Sequence, residues 1–230
     1  MNDQIYLIGD VHGCHKTLCA LMDRLPRGAD SKICFVGDLI DRGEGSFEVV
    51  QLAMQRGYAA VMGNHEYRLL QHKDAFLRGE TPSDPRWFYL NGGAQTSASY
   101  AKADRVQKLA HIEFLSNLPL YLEFARFKNA QGRRLVASHS AIGRMWALRN
   151  SHGDSAAEFR QHVLCGRGDF SQNEGVFNVY GHTPIASPDI TEFSANIDTG
   201  CVYKHGFGRL CALEFPSMRV FMQENIEDGG

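Results

Sequence analysis

The chain has 230 residues, a formal net charge of −2, 43% hydrophobic residues and 22% charged residues. This composition is typical of a globular protein and argues against disorder, and its charge balance argues against nucleic acid or an anionic membrane as a partner. Any phosphate group must therefore be bound locally, by metal ions or by a few arginines.

The sequence shows no targeting or membrane segment. No apolar run approaches the roughly 20 residues that a membrane span needs, and Met1 to Gln4 do not begin a secretory signal. The six cysteines show no Cys-x-x-Cys spacing, and none has an arginine six positions later, so we expect reduced thiols and no cysteine-based phosphatase. We therefore expect a cytoplasmic protein.

The first 77 residues repeat one pattern three times. A short apolar run leads into a loop that contains glycine, and the loop leads into a helix with apolar residues at helical spacing. The predicted strands are 4–9, 32–37 and 58–62, and the predicted helices are 15–25, 46–56 and 66–77. This order is typical of an α/β layered fold.

The rest of the chain is less regular. We expect residues 66–118 to form a helical excursion beside the sheets, with Asp104 and Gln107 as a helix-start box. A predicted hairpin follows at 120–127 and 134–138.

The last third returns to strands. A capping box at Ser155 to Glu158 predicts a helix to about residue 164, and we expect the polar tail 224–230 to fray. Further strands are predicted at 177–180, 195–197, 209–215 and 219–222, the last two as a closing hairpin. With no linker or internal repeat in sight, we expect a single domain over residues 1–230.

Six side chains that can bind metal ions follow predicted strands. They are Asp10, His12, Asp38, Asn64, His139 and His182. Ligands collect at the carboxyl ends of strands in open α/β sheets, so we expect these residues to converge. Two carboxylates, three imidazoles and one amide oxygen suit Mn²⁺, Fe²⁺ or Zn²⁺, and the lack of thiolates argues against a structural zinc site.

Six ligands are too many for one ion that must also keep an open position. They predict two ions with one shared carboxylate, and we assign Asp38 to the shared position because it is central in the order of strands. Two divalent ions with two aspartates and a hydroxide keep a positive charge, which favours a phosphate ligand.

Three blocks of the chain resemble the signature blocks of the phosphoprotein phosphatase family of calcineurin-like metallophosphoesterases. They are Gly-Asp-Val-His-Gly at 9–13, Gly-Asp-Leu-Ile-Asp-Arg-Gly at 37–43 and Gly-Asn-His-Glu at 63–66, with His139 and His182 matching later ligands. The resemblance spans about residues 5–204 and is greatest to compact bacterial and bacteriophage Ser/Thr protein phosphatases. It implies an α/β fold in which two mixed β-sheets form a sandwich flanked by helices.

The resemblance also implies a role for each site residue. The first metal ion would be bound by Asp10, His12 and Asp38, and the second by Asp38, Asn64, His139 and His182. Mn²⁺ is our first choice for both ions, with Fe or Zn as alternatives.

The remaining roles concern the substrate. The resemblance implies that His65, held by Asp41, protonates the leaving group, while Arg42 and Arg167 contact phosphate oxygens. Asn64 and His65 would also contact the substrate. An imidazolium acid is worth roughly 10²–10⁴ in rate for a poor leaving group, and guanidinium groups suit a phosphate dianion.

These roles predict a metal-dependent hydrolase that removes phosphate from phosphoserine and phosphothreonine in proteins, by direct attack of a hydroxide shared by the two ions. No regulatory subunit is evident. One alternative is a symmetrical dinucleoside tetraphosphatase (Ap4A hydrolase) with the same metal centre, which a nucleobase groove around Trp87 to Tyr89 would favour. A second alternative is a non-catalytic binding module.

Two segments keep a structural interpretation. We expect Trp87, Phe88 and Tyr89 to be core residues rather than a substrate platform, and Asn91 to Gly93 to form a turn. The sequence assigns no role to Asp198.

Overall fold

A computed structural model describes residues 4–167, 173, 175–203 and 205–227 of the chain. Within these residues it contains ten strands: β1 (Ile5–Ile8), β2 (Ile33–Phe35), β3 (Ala59–Ala60), β4 (Tyr121–Lys128), β5 (Arg134–Ser138), β6 (Val176–Tyr180), β7 (Asp189–Ile190), β8 (Ser194–Asn196), β9 (Arg209–Phe215) and β10 (Arg219–Glu224).

Seven α-helices belong to the same residues: α1 (His15–Asp23), α2 (Ser46–Arg56), α3 (Asn64–Gln71), α4 (Lys73–Arg78), α5 (Gly93–Ser99), α6 (Arg105–Ser116) and α7 (Gly153–Cys165). Short 3₁₀ turns lie at Gly28–Asp30 and Gly143–Leu148, and a π-helical turn lies at Arg86–Leu90.

The strands form two mixed five-stranded sheets. The first has the order β10-β9-β1-β2-β3 and the second the order β4-β5-β6-β8-β7. The pairs β1–β2 and β2–β3 are parallel in the first sheet, as are β5–β6 and β6–β8 in the second, and the other pairs are antiparallel. Because their central strands are parallel, the loops that leave the carboxyl ends of those strands gather at one edge of each sheet.

The two sheets pack face to face around a shared apolar core. Side chains alternate along a strand, so Leu7 of β1 points into this core while its neighbours Tyr6 and Ile8 point into the helical layer on the other face. Leu135 and Val179 enter the same inter-sheet core from the second sheet.

Helices cover both outer faces of the sandwich. Leu18 of α1, Val50 of α2 and Leu115 of α6 pack on the outer face of the first sheet, and Val163 of α7 packs with Val136 on the outer face of the second. The expected α/β sandwich of two mixed sheets flanked by helices is confirmed.

Most predicted elements are present, with shifts at their ends. The Asp104–Gln107 box caps α6 as expected, and both hairpins form. The predicted helix 66–77 is two helices, because His72 leaves the helical conformation and stacks on Trp87. The Ser155 capping box is wrong, since α7 already begins at Gly153.

Two further expectations about loops are wrong. Asn91 to Gly93 is more than a turn, because Gly92 has a φ of 98° and Gly93 begins α5. The tail does not fray over residues 225–227, where Asn225 donates to the Cys201 carbonyl at 2.7 Å and the Glu227 carboxylate accepts from the Thr17 amide at 2.8 Å. Residues 228–230 lie outside the described part.

No helix in the described part of the chain combines the length and apolar character that crossing a membrane requires.

Candidate active site

The site lies where loops leave the carboxyl ends of β1, β2, β5 and β6 and where α3 begins. Several of its residues have left-handed backbones, with φ of 46° at His12, 49° at Asp38 and 70° at His182. Residues other than glycine rarely adopt such φ values, which cost of order 1 kcal/mol or more each and persist only where the surrounding structure imposes them. The backbone is therefore bent sharply so that these side chains face one point.

Asp38 is at the centre of the cluster. Its Oδ2 lies 3.4 Å from His139 Nε2, 3.6 Å from His12 Nε2 and 3.9 Å from His65 Nε2. Among the described residues, two compact groups could each hold a metal ion: one consists of Asp38, His12 and His65, and the other of Asp38, His139 and His182. Asp38 belongs to both groups, which is the arrangement that a shared carboxylate requires.

The second group also includes an amide oxygen. Asn64 Oδ1 lies 2.9 Å from His139 Nε2, and His182 Nδ1 lies 3.1 Å from the same nitrogen. Three potential ligand atoms, from the loop after β5, the start of α3 and the loop after β6, thus face each other at short range.

Two of the imidazoles are oriented by backbone carbonyls. His12 Nδ1 lies 2.9 Å from the Ile40 oxygen, and His139 Nδ1 lies 3.0 Å from the Val36 oxygen. Because each Nδ1–H donates to a carbonyl, the Nε2 lone pair of each ring faces the cluster, as in histidines that bind metal ions.

Asp10 approaches the cluster from the side. Its buried carboxylate accepts from the backbone N–H of His182, with distances of 3.1 and 3.3 Å to its two oxygens. Neither compact group includes Asp10, whereas the first includes His65, which we expected as an acid rather than a ligand. The predicted ligands are therefore brought together, with Asp10 further out than the sequence suggested.

The electrostatics of the cluster fit a cation. Burial raises the pKa of Asp10 well above its usual range, and the negative charges of Asp198 and Asp38 raise it further. Burial lowers the pKa of His12 and of His139, and lowers that of His182 to about 3, so these rings offer lone pairs rather than protons. Crowded carboxylates beside neutral imidazoles are a donor set for divalent metal ions.

Glu66 fixes the backbone of this cluster. Its buried carboxylate accepts from the N–H groups of Asp38, Leu39, Ile40 and Gly63, at distances of 2.8–3.2 Å. The side chain thereby joins the loop after β2 to the start of α3. We assigned Glu66 no role in the sequence, although its place in the third block was the signal.

His65 belongs to a second network centred on Asp41. His65 Nδ1 lies 2.7 Å from Asp41 Oδ2, Trp87 Nε1 donates to the same oxygen at 2.7 Å, and Thr96 donates to Oδ1 at 2.6 Å. We call these four residues the Asp41 network. Burial alone would lower the pKa of His65, but Asp38 and the bond to Asp41 outweigh it, so that this pKa is raised.

The Trp87–Tyr89 segment is divided between core and surface. Trp87 is 2% exposed, which agrees with a core residue and leaves its indole no room to stack on a nucleobase. Tyr89 is 66% exposed, so the expectation that it is a core residue is wrong. Asp198, to which the sequence assigned no role, is buried, its charge acts on Asp10, and it accepts from the Gly200 N–H at 2.9 Å.

A cavity of about 320 Å³ opens beside the cluster. It is lined by Asp38, Arg42, Asn64, His65, Arg86, Asn91, Arg167, His182, Pro184 and Tyr203. Arg42 and Arg167 therefore line the same cavity, as expected, and Arg86, Asn91 and Tyr203 are additional lining residues that the sequence motifs did not indicate. The Arg42 guanidinium contacts His12 Nε2 and lies 5.4 Å from the centre of the Tyr203 ring.

Comparison with known proteins places the chain among phosphoesterases. The family model for calcineurin-like phosphoesterases matches residues 4–186. The bis(5'-nucleosyl)-tetraphosphatase PrpE (asymmetrical) of Halalkalibacterium halodurans is 32% identical over 94% of this chain and 91% of the relative. The protein of the same name from Oceanobacillus iheyensis is 29% identical over 98% of this chain and 97% of the relative.

Solved structures show the same fold at lower sequence identity. A candidate diadenosine tetraphosphatase is 19% identical, with a TM-score of 0.66 over 100% of this chain and 96% of that chain. A protein serine/threonine phosphatase from Saccharomyces cerevisiae is 14% identical, with a TM-score of 0.59 over 98% of this chain and 81% of that chain.

The comparisons correct one expectation from the sequence. We expected a Ser/Thr protein phosphatase, but the relatives that match along nearly the whole chain carry the name of nucleotide tetraphosphatases. The protein phosphatase resembles this chain in fold alone. The resemblance in the three motif blocks therefore identified the family and the metal-binding chemistry but assigned the wrong substrate.

The remaining expectations about the family are confirmed. The chain is an enzyme, a metal-dependent phosphoesterase hydrolase, and not a non-catalytic binding module. With its family model, its near-full-length relatives and its fold in agreement, the chain belongs to the calcineurin-like phosphoesterase family.

Proposed function

We propose that this protein hydrolyses dinucleoside tetraphosphates, cleaving the phosphoanhydride chain between two nucleosides. The observation that carries the proposal is its similarity, over more than nine-tenths of its length, to proteins named bis(5'-nucleosyl)-tetraphosphatase. The cavity agrees, because Arg42, Arg86 and Arg167 all line it. Three guanidinium groups suit a polyphosphate chain better than a single phosphate monoester.

The proposed cleavage is asymmetrical. Both relatives carry that word in their names, whereas the sequence alternative was a symmetrical enzyme. A cut away from the middle of a tetraphosphate bridge yields a nucleoside triphosphate and a nucleoside monophosphate, and a central cut yields two diphosphates. The products therefore distinguish the two modes directly.

The metal ligands stay as predicted from the sequence. Asp10, His12 and Asp38 would hold one ion, and Asp38, Asn64, His139 and His182 the other; their mutual approach and the lowered imidazole pKa values support this assignment. Two divalent ions, when bound, supply an activated water as nucleophile and neutralise phosphate charge. Mn²⁺ remains our first choice, with Fe or Zn as alternatives, since the nitrogen and oxygen donors suit all three.

The chain's own side chains bind the substrate and move a proton. Arg42, Arg86 and Arg167 would contact phosphate oxygens, and the exposed Tyr203 ring at the cavity wall offers a face for a nucleobase. His65 would donate its Nε2 proton to the departing oxygen, held by Asp41 through Nδ1. A leaving nucleotide phosphate is a weak base, so it needs this proton less than an alkoxide does.

Product analysis tests the proposal. Purified protein with Mn²⁺ is incubated with diadenosine tetraphosphate, and the nucleotides are separated by chromatography. We expect ATP and AMP in equal amounts, at a kcat/KM above that for a phosphoserine peptide. Two molecules of ADP would overturn the asymmetrical mode, and faster release of phosphate from the peptide would overturn the substrate class.

Two broader predictions accompany the function. A single domain over residues 1–230 is supported by the core that the two sheets share. A cytoplasmic location is supported by the six cysteines, all of which are free thiols.

A further inference from the structure

The Asp41 carboxylate is completely buried and has three side-chain donors. Its Oδ2 is shared between His65 Nδ1 and Trp87 Nε1, both at 2.7 Å, while its Oδ1 accepts from Thr96 at 2.6 Å. The Asp41 backbone N–H also donates to the Thr96 hydroxyl at 3.0 Å. A carboxylate with this many donors has a single orientation, because any rotation breaks at least one short bond.

Trp87 is itself held on several sides. Its backbone N–H donates to Asp84 Oδ1 at 3.0 Å, and its ring stacks on His72 with centres 5.4 Å apart and planes 12° apart. Gly93 lies against the other part of the indole, where an added Cβ would come within 2.9 Å of the ring. The indole N–H is therefore aimed at Asp41 by rigid neighbours.

We propose that Trp87 is a positioning residue for proton donation by His65. It acts through Asp41: its N–H holds Oδ2 in the place where that oxygen also binds His65 Nδ1, and this orients the opposite nitrogen toward the cavity. The inference rests on the proposed function only in that His65 supplies the proton. The interaction that it invokes is one charge-assisted hydrogen bond, which the Trp87 indole N–H donates to the Asp41 carboxylate.

The segment that carries Trp87 also contacts the cavity. Arg86 and Asn91, on either side of the indole in sequence, line the cavity, while Trp87 itself points inward. A substrate that contacts Arg86 therefore contacts the same short turn that carries Trp87, the residue that positions His65 through Asp41. Trp87 is therefore joined through its chain neighbours to the substrate cavity and through Asp41 to the proton donor His65.

Kinetic coupling to His65 is the decisive measurement. We expect Trp87→Phe, which keeps an aromatic side chain but removes the indole N–H, to lower kcat on diadenosine tetraphosphate about tenfold with little change in KM. This loss is a part of the roughly 10²–10⁴ in rate that an acid supplies. In a His65→Asn background the same change should have almost no further effect, because the group that Trp87 positions is absent. Equal losses in the two backgrounds would show a merely structural role.

Trp146→Phe is the matched control. Trp146 is the only other tryptophan of the chain, is also buried, and packs against Tyr121 on the second sheet. Its loss should leave kcat within about twofold of the parent in both backgrounds, as expected for a site without contact to the active centre.

Nuclear magnetic resonance provides a readout that needs no turnover. Trp146→Phe protein retains a single indole N–H signal, from Trp87, which should be shifted downfield and protected from exchange by its bond to a buried carboxylate. Asp41→Asn should move that signal by more than it moves the average backbone amide. An indole signal that exchanges freely and ignores Asp41→Asn would overturn the proposal even if every variant were inactive.

The outcomes separate this inference from the proposed function. If the protein hydrolyses a phosphoserine peptide but not diadenosine tetraphosphate, the proposed function fails, and the double-mutant comparison is made on that peptide, whose alkoxide leaving group needs the proton more. If the dinucleotide is hydrolysed and Trp87→Phe is not coupled to His65, only the inference fails.

Discussion

At the scale of single residues, the site depends on backbone atoms as much as on ligands. Asp41 and Arg42 both have left-handed φ values, 71° and 69°, and Gly92 packs directly against the Arg42 backbone. The sequence blocks indicate which side chains do chemistry. They do not indicate that a glycine fifty residues later leaves room for one of them.

Gly92→Ala should displace Arg42. A Cβ on Gly92 would lie 2.1 Å from the Arg42 backbone nitrogen, which cannot move without disturbing the loop that carries Asp41. We expect KM for diadenosine tetraphosphate to rise about tenfold or more, in line with a lost charge-assisted phosphate contact.

Gly57→Ala is the control for backbone strain alone. Gly57 also has a positive φ, of 63°, but among the described residues no atom beyond its two chain neighbours lies within 4 Å of the Cβ position. It should cost about 1 kcal/mol in urea unfolding and leave KM unchanged. Similar KM values for the two variants would show that Gly92 does not support Arg42.

At the scale of elements, strands and helices were predictable and the turns between them were not. Apolar runs with glycine loops are local signals, so the strands near residues 5–8 and 33–35 and the α-helices that follow them appear close to where we expected. The π-helical turn at Arg86–Leu90 has no such signal. Trp87 and Thr96 meet Asp41 across 46 and 55 residues of sequence, and only the folded chain shows that contact.

Glu66 shows how one side chain joins two elements. Its carboxylate accepts hydrogen bonds from four backbone N–H groups. Glu66→Gln replaces one of the two oxygens with an NH₂ group, which is itself a donor and would face backbone N–H donors. We expect about 2–4 kcal/mol lower stability in urea unfolding at pH 7. Glu48→Gln on the exposed face of α2 should change stability by less than about 0.5 kcal/mol. An equally small loss of stability in Glu66→Gln would mean that the loop after β2 keeps its conformation without the Glu66 carboxylate.

At the scale of the whole molecule, the substrate cavity is assembled from segments far apart in the chain. Its wall includes Arg42 after β2, Arg86 before α5, Arg167 after α7 and Tyr203 before β9. Of these four wall residues the three motif blocks contain only Arg42, whereas Arg86, Arg167 and Tyr203 lie outside the blocks. This is why the sequence predicted the chemistry of the site and misassigned its substrate.

Tyr203 provides a test of base recognition. Its ring is 37% exposed at the cavity and lies beside Arg42, so stacking on a nucleobase should contribute roughly 1–3 kcal/mol. Tyr203→Ala should therefore raise KM for diadenosine tetraphosphate about tenfold and leave hydrolysis of inorganic tripolyphosphate, which has no base, nearly unchanged. Tyr89→Ala removes an even more exposed ring that does not line the cavity and should affect neither substrate. Equal losses on both substrates would assign Tyr203 to phosphate binding instead.

The stability of the whole protein should depend on pH through one buried histidine outside the active site, His111. His111 is 1% exposed; its Nε2–H donates to Gln51 Oε1 at 2.9 Å and its Nδ1 accepts from the Tyr100 hydroxyl at 2.8 Å, so the neutral ring is fully bonded. Burial lowers its pKa to about 4 from an ordinary value of 6.5. Between pH 6.5 and pH 4, His111 is therefore protonated in the unfolded chain but not in the folded chain. The free energy of unfolding must fall as the pH drops through this range.

The size and origin of this loss can be measured together. Urea unfolding should give the parent about 1–2 kcal/mol less stability at pH 5 than at pH 7 from this residue alone. His111→Gln does not titrate, so it should be less stable at pH 7 but lose less between pH 7 and pH 5, whereas His152→Gln at an exposed position should follow the parent. If the parent and His111→Gln lose the same amount of stability between pH 7 and pH 5, the pH dependence comes from other groups. Protonation of His111 in the unfolded chain would then make no measurable contribution to the free energy of unfolding.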